Sequence, residues 1–77
     1  MTSSTVTDPA SRSAASWSGR LAYLYSRGRG DDDPDVIECR EALAYWRISR
    51  AVDAEAGHLG RPGVDRLVSQ LRGAAAR

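Results

Sequence analysis

Arg27-Gly28-Arg29-Gly30-Asp31-Asp32-Asp33-Pro34-Asp35 reads as the stop of one helix followed at once by the start of another. Gly28 and Gly30 lack a Cβ and accept the left-handed conformation that closes a helix. Asp33 offers a carboxylate to the free N–H groups of a first helical turn. Pro34 brings a φ already set for helix to a position whose N–H would be unpaired in any case. Apolar residues at helical spacing lie on both sides, so this stretch folds the chain back on itself as a helical hairpin.

Upstream, Ala10, Ala14, Trp17, Leu21 and Leu24 follow one another at steps of 4, 3, 4 and 3, an a/d seam. Ser11, Ser13, Ser16 and Ser18 compete for the backbone along its first half, and Gly19 costs about 1 kcal/mol relative to alanine in a helix. The spacing predicts helix over about 16–27, with Asp8-Pro9 as a second N-terminal signal that would carry the start back to 9. Downstream, the helix opened by Pro34 extends to about 56, before Gly57, a length of roughly 34 Å. Asp33, Asp35 and Glu38 crowd its positive end, as the helix dipole favours.

This second helix carries two apolar rows. One holds Val36, Cys39, Leu43 and Trp46; the other holds Ile37, Ala44, Ile48 and Ala51, with Arg40 and Arg47 between them. One short partner helix cannot cover both, so a third helix or another chain must cover the remainder. Gly57, Gly60, Pro62 and Gly63 mark a loop. Val64, Leu67, Val68 and Leu71 then take i, i+3, i+4 and i+7, which predicts a short third helix over about 62–72 with Arg66 and Arg72 facing outward. The expected fold is all-α: an antiparallel helical hairpin of about 16–27 and 34–56 plus the third helix. The expected organisation is a flexible or partly helical N-terminal segment at 1–15, a single small helical domain at 16–72 and a frayed tail at 73–77.

The chain has 77 residues and a formal net charge of +1. A domain of this size buries only about 60% of its unfolded surface, so self-association or a partner is the expected further source of stability. The small net charge disfavours a general nucleic-acid coat. Its distribution is uneven: acids dominate 31–41 and arginines dominate the flanks, a pattern suited to helix pairing. Lys, Asn and Phe are absent while Ala, Arg, Gly and Asp abound, the signature of a GC-rich genome. No apolar run is long enough to span a membrane, and the N-terminus has no signal-peptide core. The single Cys39 fits a reducing cytoplasm, the expected location.

Residues capable of chemistry are few. Asp31, Asp33 and Asp35 alternate as a calcium loop begins, but Val36 and Ala42 stand where that loop needs Gly and Glu, so helix capping is the better reading. His58, the single imidazole, sits in a Gly-rich turn with no nucleophile beside it. Cys39 lies on the apolar row and reads as a buried small hydrophobe. Arg27-Gly28-Arg29-Gly30 is a fragment of a nucleic-acid-binding RGG segment, but the aspartates after it would repel phosphate. Among the aromatics, Trp17 and Trp46 fall on apolar faces. Tyr23 and Tyr45 fall off them, and tyrosines with nearby arginines are typical of interfaces.

The segments Arg20-Leu-Ala-Tyr-Leu-Tyr-Ser-Arg-Gly-Arg29, Asp32-Asp-Pro-Asp-Val-Ile-Glu-Cys-Arg40 and Leu59 through Arg72 resemble a group of short helical proteins of actinobacterial phages and prophages. Those chains share a helix ending in Ser-Arg, an Asp-Asp-Pro-Asp joint, a long Arg-rich helix and a Leu-rich final helix. The chain departs from them at Arg61-Pro62-Gly63, where the group tends to a more acidic helix start. The resemblance implies a setting, a phage or integrated element in a high-GC host, and carries over no catalytic residue.

The expected function is therefore a small non-enzymatic protein–protein interaction module, a phage or prophage accessory factor docking by helix faces on a host or phage protein or on itself. Leu43, Trp46, Ile48, Ala51 and Val52 are the expected apolar contacts, with Tyr45, Arg47 and Arg50 as the rim. No catalytic residue, cofactor, metal, membrane or small-molecule substrate is expected. The alternatives are a small DNA-binding regulator, which the acidic block disfavours, and a virion structural component.

Overall fold

A computed structural model of the chain describes residues 8–75. The fold is all-α. Helix α1 spans Ala14–Ser26, α2 spans Pro34–Ala54 and α3 spans Arg61–Ala74, with a single 3-10 turn at Pro9–Ser11 ahead of them. Helices α1 and α2 pack as a hairpin, and the 3-10 turn packs on α2. The expectation for residues 1–7 and 76–77 falls outside the described residues.

The joint folds as its residues dictate, with one correction. The Gly28 N–H bonds to the Tyr25 carbonyl at 2.9 Å and the Arg29 N–H to the Leu24 carbonyl at 3.0 Å. This crossed pair is a Schellman closure, and it needs Gly28 at φ 81°. Gly30 does not adopt a positive φ; a single left-handed residue is enough to end α1. The Asp33 carboxylate then accepts from the Asp35 N–H at 2.8 Å and the Val36 N–H at 3.4 Å, opening α2.

The start of α1 also differs from the extended alternative. Asp8 caps only the short turn, accepting from the Ala10 N–H at 2.9 Å, and Arg12 then turns extended at φ −131°. Ser13 recaps the chain, accepting from the Ser16 N–H at 3.1 Å, so α1 begins at Ala14. Ala10 is therefore off the helix and exposed, while Trp17 and Leu24 of the same seam are buried. At the other end of the chain, Gly73 and Ala74 extend α3 where a frayed tail is expected from the sequence.

The hairpin core consists of Trp17, Leu24, Val36, Cys39 and Ala42, with Leu21, Leu43 and Trp46 packed against it. Both indoles meet at one acceptor: the Pro9 carbonyl receives the Trp17 Nε1–H at 2.8 Å and the Trp46 Nε1–H at 3.0 Å. A backbone carbonyl has two acceptor lone pairs, so one oxygen can serve both indoles. The Arg12 guanidinium lies 5.4 Å from the Trp17 ring and covers the clamp from the solvent side.

Candidate interaction surface

Around the joint, several charges pair within the chain. Arg29 bonds Asp33 at 2.7 Å and reaches Asp35 at 3.5 Å; Arg20 lies 3.8 Å from Asp35, and Arg40 3.6 Å from Asp31. Burial pushes the Asp33 carboxyl up, but the Arg29 hydrogen bond and the two backbone N–H groups outweigh it and hold the group below its usual pKa. Tyr25 donates to Asp31 at 2.8 Å, and that hydrogen bond to a carboxylate raises the phenol. The aspartates are thus capping and pairing groups. Cys39 is fully buried, and desolvation, opposed by the nearby Arg20 charge, raises its thiol. His58 is exposed in the α2–α3 loop. Among the described residues no group of three or more His, Cys, Asp or Glu side chains converges as a metal site would, and no helix is long and apolar enough to cross a membrane.

The surface of α2 opposite Cys39 and Trp46 stands open. Helical geometry puts Ile37, Ala44, Ile48 and Val52 there, about half a turn from the core row. Helix α3 does not close over them: none of its residues is buried, and it makes no close backbone approach to the hairpin. Its last turn comes back beside the middle of α2, leaving an open apolar cleft of about 490 Å3. Helix α2 lines it with Ala44, Tyr45, Ile48, Ser49 and Val52; the end of α3 lines it with Leu71, Ala74 and Ala75. Ile48 and Leu71 are each 49% exposed, high for branched apolar side chains facing a common space.

The structure divides the residues expected at the interface between two surfaces. Tyr45, Ile48 and Val52 share the cleft. Leu43, Trp46, Arg47 and Arg50 instead border a shallow groove against Ala14, Ala15 and Ser18 of α1. Ala51 is exposed and lines neither. Leu43 and Trp46 also brace the hairpin core, and Trp46 is fixed by Pro9 and by an edge contact to Tyr45 with ring centroids 5.4 Å apart. Two features escape the sequence pattern. The Pro9 clamp has only an indirect signal, two tryptophans whose buried N–H groups need an acceptor. The part of α3 in the cleft could have been found from Leu71, but Ala74 and Ala75 look like tail.

No protein-family model, curated protein or solved structure matches the chain.

Proposed function

We propose that the chain is a small, non-enzymatic helical interaction module whose docking surface is the cleft between α2 and α3. The observation that carries this reading is the pairing of two unpartnered apolar faces on one cleft, Ile48 and Val52 on α2 with Leu71 on α3. Helix-in-groove recognition needs this arrangement, apolar anchors at helical spacing with little charge in the groove itself. Tyr45 on the margin supplies a ring with a polar end. In the setting implied by the resemblance, the module is an accessory factor of an actinobacterial phage or prophage acting in the host cytoplasm. The joint argues against a nucleic-acid role, because its acids outnumber its arginines and Arg29 is engaged with two of them.

A photo-crosslinking side chain placed at Ile48 or at Leu71, in cells making the chain, tests this. Discrete higher-mass adducts are expected from both positions and not from Tyr23, which is 61% exposed on the far helix. Adducts from neither cleft position would contradict the reading.

A further inference from the structure

We propose that the occupant of the cleft is a second copy of this chain, each copy seating the Val64–Leu67–Leu71 stripe of its α3 against the Ile48–Val52 face of the other's α2. This rests on the docking reading above and names the partner. Four observations favour it.

The first is room. Helix α3 makes no close backbone approach to α2 of its own chain, which leaves Ile48 and Val52 about half exposed beside an apolar cleft of about 490 Å3.

The second is area. Tyr45, Ile48, Val52, Val64, Leu67 and Leu71 are all between 39% and 49% exposed, and Leu59 and Val68 fall in the same range. The six residues of the proposed contact leave roughly 500 Å2 exposed per chain, within the range of a monomer's largest patch. Two copies burying it reach about 1,000 Å2, the least expected of a specific interface.

The third is the size of the core. The buried apolar set is confined to the hairpin, and α3 adds nothing to it. Chains this small commonly need association or another staple to persist.

The fourth is charge. The net charge is +1, and the polar face of α3 mixes Asp65, 3.8 Å from Arg61, with Arg66 and Arg72. Such a surface is not the uniformly basic strip that an acidic partner or anionic lipid would select. A two-fold axis satisfies both faces at once, because α2 meets α3 of the partner twice.

Sedimentation equilibrium on the full chain tests this, with circular dichroism to confirm helix content in each variant. The wild type is expected at twice its 8.3 kDa mass. Ile48→Glu and Leu71→Glu are each expected to keep helical content and to sediment as monomers, with dimer affinity at least tenfold weaker. An equimolar mixture of the two variants is expected to dimerise more tightly than either variant alone, since one of its two seats pairs an intact α2 face with an intact α3. A monomeric wild type at 100 μM would overturn the proposal; if the crosslinks at Ile48 and Leu71 then fell on other proteins, the docking reading would stand with a different partner. Dimers in both variants, or no tighter association in the mixture, would also overturn it.

Discussion

Helix α2 presents apolar side chains to opposite sides, and the two sides meet different fates. Val36, Cys39 and Ala42 are sealed under α1, while Ile48 and Val52 stand open before α3. Hydrophobicity alone does not separate them. The connections do. Between α1 and α2 a Schellman closure at Gly28 and a carboxylate cap at Asp33 fix both helix ends, and Arg29 ties one to the other. Between α2 and α3 the loop turns at Gly57, φ 86°, and Gly60, the N-cap of α3, offers no side-chain cap. A second constraint, the Pro9 carbonyl, clamps Trp17 to Trp46 and has no counterpart at the α3 side among the described residues. Capping and clamping decide which apolar face is closed; the other is left for a partner.

The comparison can be broken most severely at the clamp. Trp17→Ala removes the largest buried side chain and one of the two indole bonds, at a cost of about 3–5 kcal/mol. That is a large share of the stability of any small domain, and thermal circular dichroism should show loss of the cooperative transition. A smaller effect is expected at the joint. No atom lies near the position a Cβ would take at Gly28, so Gly28→Ala should cost only the left-handed conformation, about 1–2 kcal/mol in chemical denaturation. Gly19, inside α1 with open space around it, serves as the control of opposite sign: Gly19→Ala should stabilise by roughly 0.5–1 kcal/mol.

Acid sharpens the role of the joint. Asp33 titrates lower folded than unfolded, so its contribution is present above the ordinary carboxylate range near pH 4 and is lost as pH falls through that range toward the folded pKa. The melting temperature should drop there, and Asp33→Asn, which keeps a cap but removes the charge, should flatten that drop. The smallest effect concerns Cys39. Its thiol is buried and its pKa raised, so alkylation at pH 8 should proceed only as fast as the hairpin opens. Fast modification under native conditions would show that the α1–α2 side is not closed.

Most of the architecture was legible in residues 27–35, because caps are local chemistry: a glycine, a carboxylate and a proline act on their own first turn. The excess width of the α2 apolar arc was legible for the same reason, since the helical period alone spreads Val36 and Ile48 to different sides. What the sequence concealed is non-local. Trp46 reads as a partner contact on an apolar face, but its indole is held by Pro9, 37 residues away. Trp46→Ala would therefore disturb the hairpin together with any docking, and Ile48 and Leu71 are the informative positions. The third helix was expected as a possible cover for the α2 face; its period is as expected, but its placement beside a cleft depends on loop geometry that no local pattern encodes.

The central claim is that the hairpin is closed and the α2–α3 face is open in a single chain. Amide hydrogen exchange followed by mass spectrometry, at a dilution where the chain is monomeric, tests it most directly. Strong protection is expected across Trp17–Leu24 and Val36–Ala42, with α3 exchanging orders of magnitude faster. Protection of α3 equal to that of the hairpin in the monomer would contradict it.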